Sequence, residues 1–156
     1  MFWKKKTGGT VCSPCVGQIV KLEDVPDPVF SEKMLGDGVA VLPESGEFCS
    51  PVNGKIVQVF DTKHAYSIKS DDGLEILVHI GLNTVELKGQ GFISKVKDGD
   101  TVKVGDSICE VNLESIENMG YQLYTPILIT NMNEVKKITV TEKRVQPKDT
   151  LFSYEK

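Results

Sequence analysis

Histidine is scarce in this chain of 156 residues: there are two, His64 and His79, and a single tryptophan. That scarcity excludes catalytic zinc peptidases of the kind that cleave cell walls, which need a His-x-His pair plus further His and Asp ligands. No apolar run reaches the roughly 18 residues that cross a bilayer. Met1-Phe2-Trp3-Lys4-Lys5-Lys6 leads into Thr7-Gly8-Gly9-Thr10 rather than into an apolar stretch, so no signal peptide is expected and the protein is expected in the cytoplasm. Lys and Arg form no stripe and the net charge is -4, which argues against nucleic acid as a partner. A Walker loop, a kinase Gly-rich loop and carboxylate pairs at metal spacing are all missing, so a nucleotide-dependent kinase is not expected.

Cysteine is present four times, at positions 12, 15, 49 and 109. Cys12-Ser13-Pro14-Cys15 is a C-x-x-C, but Cys15 runs into Val16-Gly17-Gln18-Ile19-Val20, a strand pattern, whereas a thioredoxin-type thiol sits at a helix N-terminus. A zinc site would need a second ligand pair, and Cys49 and Cys109 are isolated. The cysteines therefore read as small buried hydrophobes in a reducing compartment.

What is present is the composition of an ordinary globular protein, 40% hydrophobic and 26% charged, at a length that suits one domain. Residues 1–11 are expected to be a flexible N-terminal segment and 12–156 a single domain, with Phe2-Trp3-Lys4-Lys5-Lys6 read as a disordered end. Cys12-Ser13-Pro14-Cys15-Val16-Gly17-Gln18-Ile19-Val20 recurs as Cys49-Ser50-Pro51-Val52-Asn53-Gly54-Lys55-Ile56-Val57, at an offset of 37 residues (49 − 12 = 37). Gly38-Val39-Ala40-Val41-Leu42 resembles Gly73-Leu74-Glu75-Ile76-Leu77, so duplication of one β motif, with matching strand order, is the economical explanation. Short strands punctuated by Gly and Pro continue along the chain, which predicts an all-β antiparallel sandwich or barrel with at most short helical turns. Asn112-Leu113-Glu114-Ser115-Ile116-Glu117-Asn118-Met119, with an Asn or Ser cap and Gly120 behind it, predicts one such turn.

The two histidines fall on neighbouring strands. Leu74, Ile76, Val78 and Ile80 alternate with Glu75, Leu77 and His79, so His79 occupies the face opposite the regular apolar set. Asp71-Asp72-Gly73 is a turn signal between this run and the one that begins at His64, so the two runs form a hairpin that brings His64 and His79 side by side. An imidazole where a strand gives way to a turn is a candidate nucleophile.

Val96-Lys97-Asp98-Gly99-Asp100-Thr101-Val102-Lys103-Val104-Gly105-Asp106 has the rhythm of a hammerhead and resembles biotinyl and lipoyl carrier domains. That rival function needs a lysine at a hairpin tip beside Met or Asp, and neither Lys63 nor Lys69 has those neighbours, so the segment reads as scaffold. The larger resemblance is to enzyme IIA of the glucose family in the bacterial phosphoenolpyruvate-dependent sugar phosphotransferase system. It is carried by Asp24-Val25-Pro26-Asp27-Pro28-Val29-Phe30-Ser31-Glu32-Lys33-Met34-Leu35-Gly36-Asp37-Gly38, by Thr62-Lys63-His64-Ala65-Tyr66-Ser67-Ile68, by Glu75-Ile76-Leu77-Val78-His79-Ile80-Gly81, and by Thr84-Val85-Glu86-Leu87-Lys88-Gly89 with Gly91-Phe92.

The resemblance implies an antiparallel β-sandwich built from a duplicated hybrid motif. It also implies a histidine-phosphorylated phosphotransferase component that takes a phosphoryl group from the phosphocarrier protein HPr and passes it to a sugar-specific enzyme IIB. His79 would be the acceptor, oriented by the Gly81 carbonyl, with His64 stabilising the phosphate and Thr62 orienting His64. Asp27, Val29, Phe30, Leu35, Phe60, Leu77, Asn83 and Val85 would form the partner-binding face, with Asn83 standing where the family often has an acid. No cofactor or metal is required, although the family's zinc binding is compatible with adventitious zinc at His64 and His79. The chain would act as a monomer and touch the membrane only through the permease.

Overall fold

The computed structural model describes residues 8–140 and 143–156. Among them fourteen strands form: β1 (Gly8–Cys12), β2 (Gly17–Lys21), β3 (Asp37–Pro43), β4 (Glu47–Cys49), β5 (Gly54–Val59), β6 (Ala65–Ser70), β7 (Glu75–His79), β8 (Phe92–Ser94), β9 (Thr101–Val102), β10 (Ser107–Val111), β11 (Thr125–Ile129), β12 (Lys137–Thr139), β13 (Arg144–Val145) and β14 (Thr150–Glu155). An antiparallel eight-stranded sheet runs β13-β2-β3-β11-β7-β6-β5-β9, and two three-stranded sheets run β1-β14-β12 and β4-β10-β8. The main core lies between the large sheet and the two small ones. Tyr66, Ile68, Ile76 and Val78 enter it from the large sheet, and Val11, Phe48, Ile108 and Phe152 from the small ones. This is the antiparallel β-sandwich that the sequence predicts.

The sheet order is a palindrome about the β11–β7 seam, and the hydrogen bonds repeat with it. The Cys12 N–H donates to the Pro51 carbonyl at 2.8 Å, and the Cys49 N–H donates to the Pro14 carbonyl at 2.7 Å. Ser13 and Ser50 each turn their hydroxyl onto the carbonyl two residues ahead, at 2.7 Å in both copies. These local side-chain bonds satisfy backbone groups that no strand partner reaches, which explains the Cys-Ser-Pro repeat as turn chemistry. The second similarity is corrected: β3 pairs with β2 as β6 pairs with β5, so the structural counterpart of Gly38–Leu42 is β6 and not Gly73–Leu77. A glycine followed by an apolar strand is a generic pattern and does not by itself mark a repeat.

The hammerhead segment is likewise turn chemistry. Asp100 and Asp106 each accept from the N–H three residues back, at 3.0 and 2.9 Å, and Asp149 does the same at 3.0 Å in the other half. The boundary of the expected N-terminal segment also moves. Residues 8–11 belong to β1, which pairs with β14 from Gly8↔Glu155 to Cys12↔Thr150, because the edge of β14 offers them a full ladder. Phe2-Trp3-Lys4-Lys5-Lys6 lies outside the described residues.

The helical content is short. Leu113–Asn118 is capped by the Asn112 side chain, which accepts from the Ser115 N–H at 3.0 Å, as the sequence predicts. A one-turn helix, α1 (Pro28–Ser31), adds to the turn that the sequence predicts. Asp27 caps it and Pro28 starts it, a pairing that satisfies the free N–H groups of a first turn. Among the described residues no helix is long and apolar enough to cross a membrane.

Candidate active site

The connection between β2 and β3 crosses the outer face of the large sheet and builds a second, smaller core there. Leu22, Val25 and Phe30 from this connection pack with Ala40, Ala65, Leu77, Leu82 and Leu128, joined by half-buried Val20, Phe60 and Tyr124. The strand alternation delivers both histidines to this face: Ile76, Val78 and Ile80 point into the main core, so Leu77 and His79 point outward. Ala65 pairs with His79 across β6 and β7, and the Ile80 N–H donates to the His64 carbonyl at 2.7 Å, so the hairpin sets the two imidazoles abreast.

Their ring centroids are 4.8 Å apart with an interplanar angle of 84°. Phe30 lies against His79 at 5.0 Å and Phe60 against His64 at 5.8 Å, so an aromatic wall stands on each side. His79 Nδ1 is 2.8 Å from the Gly81 carbonyl oxygen. A carbonyl can only accept, so Nδ1 carries the proton and a neutral ring keeps its lone pair on Nε2. His64 Nδ1 is 2.6 Å from Thr62 Oγ1. A hydroxyl both donates and accepts, so this partner suits either protonation state of His64.

Gly81 is required by its own backbone. Its φ is +78°, and a Cβ there would stand 2.6 Å from Thr84 Cγ2, while the buried Thr84 hydroxyl holds the Ile80 carbonyl. Burial holds His79 below its ordinary pKa against the opposing pull of the Gly81 carbonyl and the Asp27 carboxylate. Burial and the neighbouring His79 push His64 down to about 4. Both rings are therefore neutral at neutral pH.

The remaining residues singled out in the sequence divide by burial. Phe30 and Leu77 are buried within the smaller core, and Phe60 is half-buried. Val29, Leu35 and Val85 are 39%, 44% and 51% exposed, large fractions for apolar side chains. Asn83 is exposed at the start of the 3-10 turn Thr84–Leu87, in a left-handed conformation. Asp27 accepts the Val29 N–H at 3.0 Å from its place at the α1 cap. Sequence reasoning missed Leu22, Val25, Ala40, Leu82, Leu128 and Tyr124 as members of this smaller core. A signal was available in Thr125–Ile129, whose five residues are all buried: a strand apolar on both faces belongs to a sheet covered on both sides.

Comparison with known proteins meets this geometry. The family described as phosphoenolpyruvate-dependent sugar phosphotransferase system, EIIA 1, matches residues 9–135. A protein of Oceanobacillus iheyensis named PTS system glucose-specific EIIA component is 52% identical over 136 residues, covering 85% of this chain and 82% of its own. One of the same name from Buchnera aphidicola subsp. Acyrthosiphon pisum is 47% identical over 137 residues, covering 88% and 84%. The solved structure of glucose permease IIA from Mycoplasma capricolum superposes with a TM-score of 0.91 at 40% identity, covering 97% of this chain and 99% of that one. The shared fold and the sequence match together show that this chain belongs to the EIIA 1 family, a phosphocarrier component of the phosphoenolpyruvate-dependent sugar phosphotransferase system.

Proposed function

We propose that His79 is the phosphoryl acceptor, taking the group on Nε2 from phospho-HPr and passing it to the enzyme IIB of a sugar permease in the cytoplasm. The observation that carries this reading is the pair of abutting imidazoles, each tied at Nδ1 to a different kind of partner. The Nε2 lone pair of neutral His79 attacks phosphorus as the bond to the donor breaks, and the donor leaves with the electron pair. The ring becomes positively charged, and the Gly81 carbonyl stabilises that charge at Nδ1–H. In delivery a nucleophile of enzyme IIB bonds to phosphorus as the Nε2–P bond breaks, the electron pair returns to Nε2, and His79 is again neutral.

His64 serves the phosphoryl oxygens. With the Thr62 hydroxyl donating to Nδ1, its Nε2 carries the proton and donates to the phosphoryl group. The dianionic group favours a second proton on His64, and Thr62 then turns to accept from Nδ1–H. Phe30 and Phe60 shield the labile P–N bond from water, while Val29, Leu35 and Val85 form an apolar rim on which HPr and enzyme IIB dock, with Asp27 and Asn83 beside it. The glucose specificity in the names of the relatives supports glucose as the transported sugar. The chain acts as a monomer and reaches the membrane through the permease.

Incubation with enzyme I, HPr and phosphoenolpyruvate, followed by intact-mass measurement, tests the role. The expected result is a gain of one acid-labile phosphate; an unchanged mass would contradict it.

A further inference from the structure

The turn that carries His64 is held from below by groups the phosphoryl mechanism does not use. Lys63 has φ +60°, a left-handed conformation uncommon for a residue with a side chain. Its N–H donates to the Phe60 carbonyl at 2.8 Å, and the next carbonyl, that of His64, accepts from Ile80. The Lys63 carbonyl itself faces the buried Cys109 thiol of β10, with Sγ 3.9 Å away, and that thiol has a competing acceptor in the Glu110 carbonyl at 3.6 Å. A thiol has one hydrogen, so it serves one of these carbonyls at a time.

Tyr66, two residues after His64, is fully buried, and its hydroxyl has no hydrogen-bond partner among the described residues. Burial raises the Tyr66 pKa, with Cys109 adding to the rise and the Ser94 hydroxyl opposing it, so the phenol stands beside both side chains. A buried hydroxyl left unpaired is costly; Ser94 Oγ already donates to the Val96 carbonyl and accepts the Val96 N–H, so the Cys109 sulfur is the less committed acceptor beside it. If the Tyr66 O–H donates to the sulfur, the thiol hydrogen is turned outward to a carbonyl.

We propose that Tyr66 and Cys109 are positioning residues for His64: the hydroxyl orients the thiol, the thiol holds the Lys63 carbonyl, and the held turn fixes the imidazole against Thr62. The proposal rests on the phosphate-handling role of His64 given above. Tyr66→Phe removes the hydroxyl and keeps the ring, Cys109→Ala removes the donor, and Cys109→Ser restores one.

Three measurements test it: the His64 ring nitrogen resonances of the unphosphorylated protein, the S–H stretching band assigned by difference from Cys109→Ala, and the rate of phosphoryl delivery to enzyme IIB. The thiol band should shift in Tyr66→Phe. In Tyr66→Phe and Cys109→Ala the His64 resonances should move while those of His79 stay. Delivery should slow roughly two- to twelve-fold, the range expected from one lost hydrogen bond, and Cys109→Ser should recover part of it. Unchanged His64 resonances in both variants would overturn the proposal, whatever the rates. Shifted resonances with wild-type delivery would uphold the positioning and refute the role of His64 instead.

Discussion

Replacing Gly81 by alanine tests whether the backbone after β7 sets the tautomer of His79. Two costs follow from the geometry. At φ +78° an alanine carries roughly 1–2 kcal/mol of left-handed strain. Its Cβ would also stand 2.6 Å from Thr84 Cγ2, so buried Thr84 must rotate, which breaks its bond to the Ile80 carbonyl at a further cost of about 1 kcal/mol. Urea unfolding should therefore show a loss of roughly 2–3 kcal/mol. The double variant Gly81→Ala, Thr84→Ser removes the clashing methyl and keeps the hydroxyl, so it should recover about 1 kcal/mol and leave the backbone strain. The strained peptide and the freed Ile80 carbonyl loosen the backbone that holds the Gly81 oxygen against Nδ1, so ring nitrogen shifts should show His79 sampling both tautomers and phosphoryl acceptance should slow. A loss below about 0.5 kcal/mol with the Nδ1–H tautomer intact would refute the reasoning.

Stability should depend on pH through the site. His64 has an ordinary value of 6.5 and is held at about 4 in the fold, so between these values only the unfolded chain binds the proton. Stability should thus be level above about pH 7 and fall as pH drops from 6.5 toward 4, by up to about 3 kcal/mol, with His79 adding in the same direction. His64→Gln should flatten this profile in urea titrations, and an unaltered profile would place the titration elsewhere. The same variant should still accept phosphate but deliver it to enzyme IIB roughly 10²-fold more slowly, because glutamine keeps a donor and cannot become cationic; rapid quench in each direction checks this, and equal slowing of both steps would contradict it. Asn83→Asp adds a carboxylate four residues beyond His79 and should speed association with the basic surface of HPr at low salt, an advantage that disappears at high ionic strength.

Much of the site was legible because it depends on local periodicity. The alternation from Leu74 to Ile80 put His79 on the outer face, and Asp71-Asp72-Gly73 joined its strand to that of His64. Ser13 and Ser50 repeat their bonds because the same three residues, Cys-Ser-Pro, dictate the same turn. What escaped depends on distant partners. Residues 8–11 form a strand because β14, at the far end of the chain, offers an edge. Tyr66, Cys109 and Lys63 converge only once β6 and β10 face each other across the core. The one-turn helix at Pro28–Ser31 was available in Asp27-Pro28 and too short to show a helical period.

Phosphorus–nitrogen correlation spectra of the protein phosphorylated through enzyme I and HPr test the central assignment most directly. A single phosphorus coupled to His79 Nε2, absent from His79→Ala, is the predicted result. Phosphate on Nδ1, on His64, or retained by His79→Ala would contradict it.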